Sequence, residues 1–317
     1  MLRDVVEQPD LAHRLTINSP AHLQEILVHL REQWHALVRT DNLLGPRFAL
    51  AGVLNEIGAI EALLPSVRDN ARRDAVGLGA RYAESAAWLW EDTGNLAHAR
   101  YWTGRAMEWA YEAGDQPMLA WTVARRAQQA AAARNAGQAI GLARAALRDE
   151  AKLGAPMRAA LRVLQAYGHA LDGDEHRSQE LLDQAHRWAA HDTVGDAREG
   201  HGSYCTPSYI ELQRAACWLV LGRPTAAVRL YETALPMLPV VYQRDRAAAL
   251  TGLAAAYAAN HQVEQAATVA HQALPVARAA GSHRIVAEIT TVSADLVPHR
   301  PLPAVAALLD DLSPEGA

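Results

Sequence analysis

The most reactive side chains of the chain lie in one segment, His201-Gly202-Ser203-Tyr204-Cys205. His201 and Cys205 could provide two metal ligands, with Cys217 as a third, but a zinc site needs a complete set of four and no further ligand pair is present. The segment also lacks the Gly-x-Ser-x-Gly pattern of a nucleophile elbow. The sequence therefore predicts neither a metal site nor a catalytic site here. Cys217 lies in an apolar run, 215–219, and is predicted to be a buried packing residue.

A second acidic segment, Asp172-Gly173-Asp174-Glu175-His176, is similar to a fragment of a calcium-binding loop. Turn chemistry and capping of the next helix account for it equally well, and we predict a helical turn. No phosphate-binding loop, dinucleotide fingerprint or Ser/His/Asp spacing is present, so the sequence predicts no cofactor and gives no usable support for an enzyme.

The elements that carry the remaining polar and aromatic side chains are repeated helical hairpins. Residues 80–113 read as two helices joined by a tight turn, Asp92-Thr93-Gly94-Asn95, with small residues at Ala87, Ala99 and Ala106. This layout is typical of a tetratricopeptide-type hairpin, because two helices cross closely only where small side chains let their backbones approach.

Three columns of small residues recur at constant offsets of twelve and then seven, in copies that begin 40, 39, 49 and 39 residues apart. The columns are Ala87, Ala127, Ala166, Ala215 and Ala254; Ala99, Ala139, Ser178, Ala227 and Ala266; and Ala106, Ala146, Ala185, Ala234 and Ala273. We predict an all-α, right-handed α-solenoid of five tetratricopeptide-like hairpins, in which each hairpin buries the apolar face of its neighbour.

The rest of the chain is predicted to flank this array. Residues 1–18 form a flexible lead-in, 19–79 an N-terminal helical cap with helices over 20–39 and 46–64, 80–282 the five hairpins, and 283–317 the C-terminal capping helices and tail. One long irregular link, 191–207, interrupts the array and accounts for the 49-residue interval.

Composition excludes several classes of protein. The chain is 50% hydrophobic and 21% charged, and its net charge of −5 argues against direct binding to nucleic acid. Two cysteines are too few for a disulfide framework, and we expect no signal peptide, no membrane span and a cytoplasmic location. The abundance of alanine and arginine favours a GC-rich bacterial source.

Three phrases carry a family resemblance: ARYAESAAWLWEDTGNLAHARYWTGRAMEWAYEAGD, YCTPSYIELQRAACWLVLGRPTAA and YQRDRAAALTGLAAAYA. Over residues 22–310 the chain resembles the tetratricopeptide region of actinobacterial XRE-family helix-turn-helix transcriptional regulators. Those regulators carry a DNA-binding domain ahead of this region, and here only a short tail precedes residue 19. The resemblance therefore implies the sensing and dimerising half of such a regulator without its DNA-reading domain.

In such an array the leading helices line the concave groove, and their outward side chains contact the ligand. Aromatic rings give contact area and arginine gives charge-assisted hydrogen bonds, a mixture that suits a peptide or a polar small molecule. The predicted groove residues are Arg81, Glu84, Trp88, Glu91, Trp121, Arg125, Gln128, Tyr167, Tyr209 and Gln213. The alternative is that Trp88 and Trp121 only pack between neighbouring helices. Arg244-Asp245-Arg246 could be a groove-side charge cluster or an inter-repeat ion pair, and we favour the ion pair.

Three functions follow from this pattern. The leading hypothesis is a regulatory module that binds a peptide or small signal molecule in its concave groove and acts through a homodimer or a protein partner. The second is a protein-interaction scaffold without a small ligand. The third is a repeat protein recruited as a biosynthetic enzyme, with chemistry near Arg81, Glu84 and Glu91.

Overall fold

The structure, a computed structural model, describes residues 19–191, 194–195, 197–198 and 200–313. These residues form helices and connecting turns and contain no strand. The predicted lead-in 1–18, the end of the tail and four positions of the long link lie outside the described residues. The α-helices are α1 Pro20–Leu44, α2 Pro46–Leu63, α3 Asp69–Asp92, α4 Leu96–Ala113, α5 Gln116–Ala132, α6 Ala136–Ala146, α7 Ala155–Leu171, α8 Glu175–His186, α9 Pro207–Val220, α10 Pro224–Ala234, α11 Gln243–Ala259, α12 Val263–Ala279, α13 His283–Leu296 and α14 Pro303–Leu312.

Five consecutive hairpins, from α3–α4 to α11–α12, form the body of the molecule. All of the small residues in the three repeated columns are buried, and none is more than 6% exposed. Each hairpin also packs on the next, as α4 does on α5 and α6 on α7. The all-α solenoid prediction is confirmed, and the small columns are the contacts at which paired helices approach.

Polar caps begin several of the hairpin helices. The side chains of Asn95, Asp115, Asn135 and Asp174 each accept a hydrogen bond from the backbone N–H three residues on. Asp174 therefore caps α8, and the acidic segment 172–176 is a hairpin turn, as predicted.

The N-terminal cap is held on the first hairpin by two hydrogen bonds. Trp34 of α1 donates its indole N–H to Ser85 Oγ at 2.9 Å, and Tyr82 of α3 donates its hydroxyl to the Leu30 carbonyl at 2.6 Å. Helix α1 runs to Leu44, five residues beyond the predicted end at residue 39. The extension is stabilised from a distance, because Asp41 in its last turns forms an ion pair with Arg244 of α11.

Helix α2 and its following turn, Pro46–Ser66, are long and apolar enough to cross a membrane by length and composition alone, with a mean hydropathy of 1.4. The sequence analysis overlooked this run. In the structure α2 packs on α1 and α3 and buries Val53, Ile57 and Ile60. Only 28% of the apolar stretch is buried inside the structure, and length and composition alone are weak evidence for a membrane span.

The two ends of the array touch each other, a contact that the sequence analysis did not predict. The backbone at Gly45, between α1 and α2, lies against the Ala280 carbonyl before α13, and Arg47 contacts His283. Ser282 donates a hydrogen bond to Asp92 at 2.6 Å across 190 residues of sequence. The solenoid is therefore closed, with its cap and first hairpin packed against its last helices.

Replacement of Gly45 by alanine tests this closure. A methyl group at this position would lie 2.1 Å from the Ala280 oxygen, and Gly45 has a φ of 93° that other residues rarely adopt. We expect the free energy of unfolding in urea to fall by at least about 2 kcal/mol. The matched control is Gly137→Ala in α6, where no atom lies within 4 Å of the added carbon. That variant is expected to be neutral or slightly stabilised, and equal stability of the two variants would contradict the contact.

Candidate functional site

The closed solenoid surrounds an interior cavity of about 150 Å³. Helices α1, α2, α3, α5, α9 and α11 and the loop before α9 contribute to its walls. The aromatic wall residues are Trp34, Trp88, Trp121, Tyr204, Tyr209 and Tyr242, and the titratable ones besides these tyrosines are Asp41, Glu84, Arg125, His201, Arg244 and Asp245. A site that combines this much aromatic surface with buried charges is suited to hold a polar ligand by contact area and directed hydrogen bonds.

Six of the ten predicted groove residues line this cavity: Glu84, Trp88, Trp121, Arg125, Gln128 and Tyr209. They come together because the outward positions of α3, α5 and α9 face the same interior space. The structure therefore places these six side chains where a single ligand could touch them.

The other four predicted residues lie elsewhere. Arg81 is beside the cavity, with its guanidinium 5.7 Å from the centre of the Trp34 ring. Glu91, nearly two turns beyond Glu84 on α3, is buried and accepts a hydrogen bond from Gln129. Tyr167 packs against the Ala130–Ala139 core of the second hairpin. Gln213 is half-buried one turn beyond Tyr209 and outside the cavity wall. These four positions therefore lie outside the cavity wall.

A buried ion pair crosses one side of the cavity. Arg125 of α5 binds Glu84 of α3, donates from Nη1 to Gln128 at 2.7 Å, and lies 4.8 Å from the Trp88 ring centre. Glu84 and Arg125 are 4% and 9% exposed. Burial alone would raise the pKa of Glu84, but Arg125 outweighs it and the pKa lies below the ordinary value. The Glu84 carboxylate is therefore ionised and contributes a negative charge to the cavity wall.

A second ion-pair cluster lies beside the same Trp88 ring, with the Arg244 guanidinium 5.3 Å from the ring centre. Arg244 of α11 binds Asp41 of α1, and its Nε lies 2.8 Å from Asp92 Oδ2 at the end of α3. Asp92, which is fully buried, is also 3.4 Å from Arg284 of α13. The favoured interpretation of Arg244 as an ion-pair residue is confirmed, although the pair joins the two ends of the array and also forms part of the cavity wall. Its neighbour Arg246 points elsewhere and donates to the Leu238 carbonyl at 3.3 Å.

The long link enters the cavity through His201. Its imidazole stacks on Trp121, with ring centres 5.1 Å apart, and meets the edge of Trp34 at 5.5 Å. The next residue, Gly202, has a φ of 87°, and a Cβ there would lie 2.6 Å from the Pro156 oxygen. Only glycine lets the link approach α7 this closely. Burial lowers the pKa of His201 to about 4, so the ring is neutral at pH 7.

Both cysteines are buried, as predicted for Cys217. Burial raises the pKa of the Cys217 thiol to about 12 and also raises that of Cys205, which leaves neither thiol reactive at neutral pH. In the described part of the chain no group of three His, Cys, Asp or Glu side chains could hold a metal ion.

Sequence reasoning missed seven of the twelve aromatic and titratable residues of the cavity wall. The sequence predicts a cap for Trp34 and Asp41, a loop for His201 and Tyr204, and an ion pair for Arg244 and Asp245, and it gives no role to Tyr242. The one available signal was the long link itself, since long irregular loops in compact arrays are often functional. The remaining positions could not be found without knowing that the ends of the array meet.

Comparison with known proteins supports the fold. None of the protein-family models compared with the chain matches it, and no curated protein sequence does. Among solved structures, the crystal structure of a Rap protein complexed with competence and sporulation factor superposes with a TM-score of 0.54 at 12% sequence identity. The match covers 92% of this chain and 97% of the Rap chain. At this identity the similarity shows the fold alone, and it extends over nearly the whole length of both proteins.

Substitution of Glu84 by glutamine tests the first ion pair. The change would leave the Arg125 guanidinium buried without a counter-charge, and we expect the free energy of unfolding at pH 7 to fall by roughly 3 kcal/mol. The matched control is Glu180→Gln, because Glu180 forms an exposed pair with Arg177 one turn away; little or no change in the free energy of unfolding is expected there, since water screens an exposed pair. Two equally small effects would show that the buried pair does not form.

The pH dependence of stability tests the placement of His201. Its folded-state pKa of about 4 lies below the unfolded value of about 6.5, so protonation favours the unfolded chain. The wild-type protein should lose stability from this group as the pH falls from about 6.5 to about 4. His201→Phe keeps the stack on Trp121 and removes the titration. Over the same pH range, the free energy of unfolding of this variant should therefore decrease by up to about 3 kcal/mol less than that of the wild-type protein. Parallel pH profiles of the two proteins would contradict the buried position.

Proposed function

We propose that the chain is a regulatory binding module that takes a short peptide or a small signal molecule into the interior cavity of its solenoid. The observation that carries this proposal is the meeting of aromatic rings and buried charges from five separate helices around one cavity. Side chains that serve only packing would leave no cavity between them. Trp121 and Gln128 instead border an unfilled space.

Two similarities support a regulatory role. The Rap structure that matches nearly the whole chain is a complex with a competence and sporulation factor. The repeat phrases of the chain also resemble the sensor region of helix-turn-helix regulators. We infer from both that this array acts by binding a signal and passing the change to a partner.

The size of the cavity sets how a ligand can enter. A cavity of about 150 Å³ has room for one side chain or a small molecule but not for a whole peptide. A larger ligand would extend through the open side of the cavity, displace the His201–Tyr204 segment or loosen the contact between the ends. Displacing the segment or loosening the contact would change the pitch of the solenoid and so carry the signal to its outer surface.

A protein-interaction scaffold is the second candidate. Leu43, Leu44 and Phe48, at the junction of α1 and α2, are 51%, 52% and 68% exposed. Apolar side chains grouped on a surface favour contact with another protein. A scaffold of this kind would bind a protein partner without any molecule in the cavity, which separates it from the first proposal.

Ligand capture from the low-molecular-mass fraction of a cell extract tests the proposed function. After incubation and buffer exchange, native mass spectrometry of the wild-type protein should show an added mass below about 1 kDa. Trp121→Leu combined with Gln128→Ala should lose the adduct and keep the helical circular dichroism spectrum, because both side chains line the cavity.

The control variant is Tyr111→Ala, since Tyr111 is 77% exposed on α4 and outside the cavity. It should retain the adduct. An adduct held equally by the cavity variant, or none in the wild-type protein, would overturn the assignment of the cavity as the binding site.

A further inference from the structure

Among the residues that the structure describes, the charges of the cavity wall do not balance. Three carboxylates line it, those of Asp41, Glu84 and Asp245, against the two guanidiniums of Arg125 and Arg244. Glu84 takes Arg125, and Asp41 takes Arg244. Asp245 is therefore the carboxylate in excess.

Neighbouring arginines do not pair with Asp245: Arg81 lies at the Trp34 ring, 5.7 Å from its centre. Arg244 is shared with Asp92, and Arg284 is bound by Asp92 and by Glu288 at 2.9 Å. Within the described part of the chain, no side chain donates a hydrogen bond to Asp245 or forms an ion pair with it. Asp245 is half-buried, and a carboxylate that is partly withdrawn from water without a partner is costly to ionise.

The titration of Asp245 follows from this surplus. Burial raises its pKa to about 6, and the attraction of Arg244 and Arg284 only partly opposes this. The groups that act on it or are affected by it come from every adjoining element: Arg244 of α11, Arg284 of α13, Asp92 of α3, Asp41 of α1, Tyr209 of α9, and Tyr204 and Cys205 of the loop. Asp245 is charged at pH 8 and largely neutral at pH 5.

The aromatic rings of the cavity wall also favour a positively charged ligand. The face of an aromatic ring attracts cations, and Trp88 already has three guanidiniums around it, at 4.8, 5.3 and 5.8 Å. Tyr204 and Tyr209 also lie in the cavity wall and pack edge to face, with ring centres 5.0 Å apart. The wall thus combines electron-rich faces with one uncompensated carboxylate.

One hydrogen-bond donor in the wall also lacks an acceptor. Trp121 is 6% exposed, and its indole N–H lies near Glu84 but makes no well-formed hydrogen bond within the described residues. A peptide carbonyl group placed in the cavity would supply this acceptor.

We infer that the cavity selects a cationic ligand, a peptide whose arginine or lysine side chain pairs with Asp245 while its backbone carbonyl accepts from Trp121. The inference rests on the proposed function and adds the charge of the ligand to it. Asp245 is retained at a cost to stability and gains its counter-ion only when the ligand is bound.

The experiment compares three tripeptides of matched size, acetyl-Ala-X-Ala-amide, in which X is arginine, its neutral isostere citrulline, or glutamate. Binding is measured by titration calorimetry at pH 8 and pH 5, with agmatine as a free amine that lacks a peptide backbone. The arginine peptide should bind the wild-type protein at least about tenfold more tightly than the citrulline peptide at pH 8. This preference should shrink by at least about tenfold at pH 5. If agmatine binds as tightly as the arginine peptide, the backbone carbonyl does not contribute to binding, and the proposed hydrogen bond from Trp121 is contradicted.

Asp245→Asn is the decisive variant. It should abolish the preference for arginine over citrulline and should have a melting temperature at pH 8 equal to or above that of the wild-type protein. Asp172→Asn, in an exposed hairpin turn, is the matched control and should keep the preference.

Tighter binding of the citrulline or glutamate peptide, or no measurable binding of any probe, would overturn the inference. A melting temperature of Asp245→Asn well below that of the wild-type protein would also overturn it, since it would make Asp245 a structural residue. An uncharged or anionic adduct captured from extract by the wild-type protein and lost in the cavity variant would refute the charge assignment and leave the proposed function standing.

Discussion

The cluster of buried charges around Trp88 is the interaction on which the rest of the structure depends. Asp92 at the end of α3 meets Arg244 of α11, Arg284 of α13 and Ser282 before α13. These partners are 152, 192 and 190 residues away in sequence. Buried ion pairs add little stability compared with apolar packing, but removing one partner is strongly destabilising. The cluster therefore fixes which parts of the array meet more than it adds to the total stability.

Closure changes what a helical array can do. In an open solenoid the concave side is a broad groove, and its outward side chains are solvated. Here the cap helix α1 and the fifth hairpin face each other across that groove, so that Glu84, Arg125 and Arg244 are removed from water. Electrostatic interactions are stronger in such a site, and a ligand that alters them also alters the contact between the ends. Binding and shape are therefore coupled through the same side chains.

The fold could be predicted from the sequence because its causes are local. Small residues at constant offsets identify each helix crossing, and the caps at Asn95, Asn135 and Asp174 lie within three residues of the N–H groups they bind. Helix ends that depend on distant partners could not be predicted. The last turns of α1 exist beside Arg244, which is 203 residues away.

Only part of the site could be predicted from the sequence, for the same reason. Outward positions on the leading helices led to Glu84, Trp88 and Trp121, but the same logic also selected Tyr167 and Gln213, which lie outside the cavity wall. His201 was weighed as a metal ligand or catalyst because its sequence neighbours are reactive. Its role depends on Gly202, whose left-handed backbone brings the link against Pro156. No local sequence pattern shows which part of the protein such a loop will contact.

The distance between the two ends of the array tests the central claim most directly. Spin labels at Phe48→Cys in α2 and Thr291→Cys in α13 would occupy exposed positions, and both native cysteines are buried, so labelling is confined to the introduced sites. Double electron–electron resonance should give one narrow distance distribution in solution without ligand, as expected for ends joined through Asp92, Arg244 and Gly45. A broad distribution extending to long distances would show an open solenoid, and the enclosed cavity with its charge surplus would then not exist as described.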